Sequence, residues 1–228
     1  MRWNPRRWLR RYATALCAAA LCGTGSAAQP TGWTSSYLTR VEALAALQTL
    51  NADLLSHDSA TLTLERWCGA HHLATPPRII AARVTGADKA ATEELRRELG
   101  VMPGDVIRYR RVRLMCGTRV LSEADNWYVP GRLTAEMNKL LDATDTPFGV
   151  AVRALHFQRH TLSATLLWSP LPPGWDMNAA GGSGVDGDPM PSRLLEHRAV
   201  LSLPDGTPFS EVVETYTDQI LDFPVPQP

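Results

Sequence analysis

Val106-Ile107-Arg108-Tyr109-Arg110-Arg111-Val112-Arg113-Leu114-Met115, followed by Cys116-Gly117-Thr118 and a second run from Val120 to Val129, is the stretch on which the fold turns. In it Tyr109, Arg111, Arg113 and Met115 alternate with Arg108, Arg110, Val112 and Leu114. A period of two marks a strand, because successive side chains leave opposite faces. Cys116-Gly117-Thr118 reads as a turn and Pro130 as a stop, so the two runs make an antiparallel hairpin. Charge sits on both faces of this half-buried strand, and a guanidinium taken out of water needs a partner. Two readings of these arginines stay open: solvated edges with cross-strand ion pairs, or one Arg clamping a ligand carboxylate through its fork.

Upstream of the hairpin, Leu38, Val41, Leu44, Leu47, Leu50 and Leu54 recur every three or four positions, the stripe of an amphipathic helix. A second helix is expected over about 60–67, stopping at Gly69, then a strand over 78–84, and a short helix from an Asp88 cap to Leu99 closed by Gly100. Downstream, 133–141 reads as a helix, and 150–158, 162–168, 198–203 and 212–219 as strands. His156 and His160 then share a strand face about 13 Å apart at 3.3 Å per residue, too far for one metal. Successive antiparallel strands with interspersed helices predict a single α+β domain. The stretch 169–192, rich in Pro, Gly and Asp, is expected to be a mobile loop, and 223–228 a frayed, extended tail. Trp127 and Tyr128 read as one buried and one half-exposed strand residue.

The chain has 228 residues, with 44% hydrophobic and 20% charged side chains, which excludes a disordered or collagen-like chain. Its 23 basic and 23 acidic groups balance, but residues 1–28 hold five arginines and no acid. The remainder keeps 18 basic groups against 23 acidic ones, a net charge of about −5, which disfavours nucleic acid as a partner. The basic start, the apolar run Ala13 to Cys22 and the small residues Gly25-Ser26-Ala27-Ala28 compose a secretory leader cut after Ala28. The expected organisation is a leader over 1–28, a domain over 29–222 and the tail. The expected location is periplasmic or secreted, with no stable membrane insertion after cleavage, since ten apolar residues cannot cross a bilayer. Cleavage leaves Cys68 and Cys116, either bonded or separately buried. There is no phosphate-binding glycine loop, no nucleophile elbow and no zinc-like spacing; no metal and no cofactor is expected.

Arg110-Arg111-Val112-Arg113-Leu114-Met115-Cys116-Gly117, Pro130, Thr146-Pro147-Phe148-Gly149, and Asp205-Gly206-Thr207-Pro208 leading to Glu214 together resemble the chorismate lyase family. Asp58-Ser59-Ala60-Thr61 is similar to that family's pocket-helix start, and Leu99-Gly100-Val101 with Gly104-Asp105-Val106 to the sensor (UTRA) domains of GntR-type regulators, which share the fold. The resemblance implies a six-stranded antiparallel sheet flanked by helices, with a small aromatic carboxylate sealed beneath helical flaps and no cofactor. It also implies that Arg111 holds the ligand carboxylate and that Glu214, with Glu211 as rival, faces the opposite end as a catalytic group. Phe148, Gly149 and Ala60 would line the pocket. Three functions follow: a carbon–oxygen lyase releasing pyruvate and 4-hydroxybenzoate from chorismate, a non-catalytic periplasmic sensor or carrier, or a partner-binding protein working through Asn126-Trp127-Tyr128.

Overall fold

Two antiparallel meanders lie side by side in one six-stranded sheet. The first comprises β1 (Ile79–Arg83), β2 (Arg108–Cys116) and β3 (Arg119–Tyr128); the second comprises β4 (Gln158–Leu166), β5 (Arg193–Ser202) and β6 (Pro208–Thr217). They join where β3 pairs with β6, giving the order β1-β2-β3-β6-β5-β4 with every neighbour antiparallel. The computed structural model describes residues 32–177 and 189–226. The leader expected over 1–28 and positions 178–188 of the glycine-rich stretch lie outside those residues. The α+β fold and the six-stranded antiparallel sheet expected from the sequence are both present.

Helices cover the sheet where their apolar stripes demand it. α1 (Tyr37–Leu55) opens on a reciprocal Ser36–Thr39 capping box, and α2 (Ala60–Ala70) on Ser59, whose hydroxyl accepts from the Leu62 N–H. Both pack on one face, here the inner one: Leu47, Leu50, Leu54, Leu64 and Trp67 meet Val112, Leu114, Ala124, Val212 and Tyr216. The α1 stripe is rotated from the expected one, with Arg40 and Ala43 buried and Leu38 exposed. Further along the inner face, α4 (Ala135–Ala143) and the single turn α5 (Phe148–Ala151) cover Tyr128, Leu201 and Phe209. The reverse face is covered in part by α3 (Glu93–Glu98), which seats Leu95, with Leu99 just beyond it, on Trp127 and Val129.

Cys68 at the end of α2 is bonded to Cys116 at the end of β2, with 6.2 Å between their Cα atoms. The bond settles the two readings of these cysteines and ties the helix to the strand whose other end carries Arg108–Arg111.

Four local expectations are corrected. Residues 148–155 form α5 and a 3₁₀ turn instead of a strand, because Pro147 starts a helical turn there. His156 therefore precedes β4 in a left-handed conformation (φ 50°, ψ 42°) and shares no strand face with His160. The tail is docked, not frayed, as far as it is described: Phe223 stacks on His71 at 4.0 Å and meets Trp33 edge-on at 5.2 Å. Trp33 and Trp67 donate their indole N–H groups to the Leu221 and Ile220 carbonyls, both at 2.8 Å. Finally, Asn126, Trp127 and Tyr128 are all buried, so they offer no partner surface.

On the reverse face the Arg198 guanidinium gathers three carboxylates: Glu211 at 2.6 Å, Glu98 at 2.8 Å and Glu94 at 3.2 Å. Glu211 is buried and its Oε2 has no partner. Burial first, and then the neighbouring Glu98, push its carboxyl up to about 7 against the pull of Arg198. A carboxyl that holds its proton more tightly folded than unfolded gives stability that is complete below the ordinary Glu range and lost as pH rises through the folded value. We expect Glu211→Gln, which mimics the protonated form, to flatten the fall in melting temperature between pH 5 and pH 8. Parallel wild-type and variant profiles across that window would refute the assignment.

Candidate functional site

The inner face carries a cavity between its two apolar patches, where the start of α2 meets α5. Strand pleating decides what enters it. In β2 the side chains of Arg110, Val112 and Leu114 point inward, and across the sheet they are joined by Ala124 and Asn126 of β3 and by Val212 and Glu214 of β6. Asp58 to Thr61 and Phe148-Gly149 close the helical side, and Phe157 and Arg159 come from the start of β4.

Of the expected site residues, Ala60, Phe148, Gly149 and Glu214 all line this cavity. Arg111 does not. It leaves the reverse face, 3.3 Å from Glu123 and 3.4 Å from Asp125. The register places its neighbour Arg110 in the cavity instead, since adjacent strand residues face opposite ways. The rival Glu211 is likewise on the reverse face, held by Arg198. Arg110 was legible in the alternation itself, because it shares its set with the apolar pair Val112 and Leu114.

Arg110 is 7% exposed. Its Nη2 donates to the Thr144 and Thr146 carbonyls at 3.3 and 3.0 Å, and its Nε has no partner. Among the described residues no carboxylate forms an ion pair with it. Burial, and secondly the nearby Arg83, hold its pKa below the ordinary guanidinium value, yet an arginine stays charged at neutral pH. The cavity wall thus contains a desolvated cation that Asp145 and Asp142 favour only from a distance, with no carboxylate in ion-pair contact among the described residues.

The other end of the cavity is balanced. Arg159 reaches across β5 and places Nη2 2.6 Å from Glu214 Oε2, with side-chain exposures of 5% and 7%. Burial opposes the Arg159 charge, but Glu214 outweighs it and raises the pKa. Tyr216 donates its hydroxyl to the same Glu214 oxygen at 3.2 Å. Both bonds fall on Oε2, which leaves Oε1 to accept from whatever fills the cavity. Behind Glu214 in the register lies His197, fully buried, its Nε2 2.8 Å from Asn51 Oδ1. Burial drives its pKa down to about 4, so the ring is neutral. Asn126 accepts the Ser210 hydroxyl on Oδ1 at 3.1 Å, so its amide N–H groups are the part left for the cavity. Sequence reasoning missed Arg159 and Asn126; the expected boundary of β4 fell after Arg159, which hid its place on an inward-facing strand start.

Gly149 matters for its missing side chain. A Cβ there would stand 3.4 Å from Ser59 Oγ and 3.7 Å from the Phe157 ring. Among the described residues no cluster of His, Cys, Asp or Glu has the arrangement of a metal site.

Fold and cavity define an α+β domain built around a buried, charged cavity in which one cation, Arg110, forms no ion pair among the described residues. No protein-family model matches the chain. The protein y4mC of Sinorhizobium fredii (strain NBRC 101917 / NGR234), described as uncharacterized, is 61% identical over 196 residues, 85% of this chain and 83% of that one. The chain belongs to the same family as y4mC. Among solved structures it is similar to PhnF from Mycobacterium smegmatis, with a TM-score of 0.46 and 14% identity over 76% of this chain and 70% of that one. It is also similar to a transcriptional regulator of the GntR family from Enterococcus faecalis V583, with a TM-score of 0.39 and 14% identity over 64% of this chain and 99% of that one.

Proposed function

We propose that this chain is a small-ligand-binding domain whose inner cavity takes a carboxylate on Arg110. The observation that carries the reading is the buried Arg110 guanidinium, whose Nε has no hydrogen-bond partner and which forms no ion pair among the described residues. A cation in that state is costly until an anion meets it, and a carboxylate fits the guanidinium fork. Glu214 Oε1 supplies an acceptor at the far end, which suits a hydroxy acid such as 4-hydroxybenzoate, and the Asn126 amide supplies a donor opposite Arg110. Glu214 is already neutralised by Arg159 and Tyr216, an arrangement that supports binding without turnover over proton transfer in an enolpyruvyl cleavage. The domain works outside the reducing cytosol in this reading, which the Cys68–Cys116 bond supports.

The test is a thermal-shift and calorimetric titration with 4-hydroxybenzoate and related acids. Arg110→Ala is expected to abolish ligand-induced stabilisation, and Arg111→Ala to leave it intact. Loss in Arg111→Ala alone would overturn the assignment of the anchor. Pyruvate released from chorismate by wild type and lost in Glu214→Gln would make the protein a lyase, not a binding domain.

A further inference from the structure

The inner cavity is walled by the sheet on one side and by Asp58 to Thr61 and Phe148-Gly149 on the other. A second hollow adjoins it, and the two share Asp58, Ser59, Gly149 and Phe157 as common walls. The two hollows meet at Gly149, whose missing side chain leaves the space beside Ser59 and Phe157 clear.

The outer hollow adds Arg153 and His156. Arg153 is exposed and forms no ion pair among the described residues. His156 holds a left-handed backbone, uncommon without glycine, at the corner between the 3₁₀ turn Arg153–Leu155 and β4. That corner lets His156 serve the outer hollow and Arg159, three residues on, the inner one. The acid on the shared wall, Asp58, accepts the Arg159 backbone N–H on Oδ1 at 3.0 Å, while Arg153 and His156 belong to the outer hollow alone.

Resting on the reading of the inner cavity as a carboxylate site, we propose that the ligand is an elongated dicarboxylate. One end sits on Arg110 and the other reaches Arg153 and His156 in the outer hollow. Asp58 repels a charge placed close to it, so the length of the acid matters: the outer carboxylate has to extend past Asp58 and Gly149 to the Arg153 side.

Calorimetry on the whole chain with dicarboxylates from succinate to suberate, each against its matched monocarboxylate, tests this. One length of dicarboxylate is expected to bind about tenfold tighter than its monocarboxylate, the worth of one added charge-assisted contact. Arg153→Ala should erase that advantage and leave monocarboxylate binding unchanged, while Arg110→Lys, which keeps the charge but loses the fork, should weaken both. Equal binding of the two classes, still weakened by Arg110→Lys, would sink the outer subsite and leave the carboxylate site standing. Binding of neither class, or binding indifferent to Arg110→Lys in a variant with a wild-type circular dichroism spectrum, would sink both.

Discussion

Replacing Cys68 and Cys116 together by Ser is expected to destabilise the fold by about 4 kcal/mol. The two residues are 48 apart in sequence, and the loop-closure entropy that their bond removes from the unfolded chain has that size at room temperature. Both side chains are fully buried in the main apolar cluster, so the variant also places two hydroxyls there. Chemical denaturation of oxidised, reduced and double-variant protein separates the two effects. The reduced wild type should fall nearly as far as the variant; if reduction leaves the midpoint unmoved, the bond is not what holds α2 to β2. The loss bears on the site as well, since α2 carries Ser59 to Thr61 on the cavity wall and β2 carries Arg110.

Glu214→Ala is expected to cost about 3–5 kcal/mol, the usual penalty for stranding one member of a buried ion pair. Arg159, 5% exposed in its side chain, then keeps its charge with no ion-pair partner among the described residues, and the Tyr216 hydroxyl loses its acceptor. The double variant Glu214→Leu/Arg159→Met removes both charges and should recover most of the loss, because the desolvation cost disappears with the attraction. A double variant no more stable than Glu214→Ala would show that the pair contributes through something other than charge balance. Ligand binding should not return in the double variant, since Glu214 Oε1 is gone from the cavity.

The strands of the hairpin were legible because their alternation is regular, and both β2 and β3 lie within two residues of the expected limits. The start of α2 falls at the expected residue 60, whereas α3 begins at Glu93 behind a Thr92 cap and not at the expected Asp88. What failed has physical causes. Pleat phase decides which of two adjacent arginines enters the cavity, and phase is set by Val112 and Leu114, not by the arginines themselves. The turn after Pro147 was read as a strand because Val150, Ala151 and Val152 favour extended chain in isolation; packing of Phe148 and Val152 on Phe209 and Tyr128 overrides that preference. Arg159 depends on a partner 55 positions away, which no local pattern encodes. Glu214, Phe148, Gly149 and Ala60 were reached through a family resemblance, and the cavity gathers all four.

The seam between β3 and β6 has a kinetic consequence. Within each meander the pairings of β2 with β3 and of β5 with β6 are short in sequence and form quickly, whereas Ser122 meets Tyr216 only after a long loop has closed. Arg110 belongs to the first meander and Glu214 with Arg159 to the second, so the cavity exists only once that late contact is made. A bound acid spans the seam and acts as a clamp on the finished sheet. It should therefore slow unfolding and leave the rate of folding unchanged, because the transition state precedes the site that it recognises.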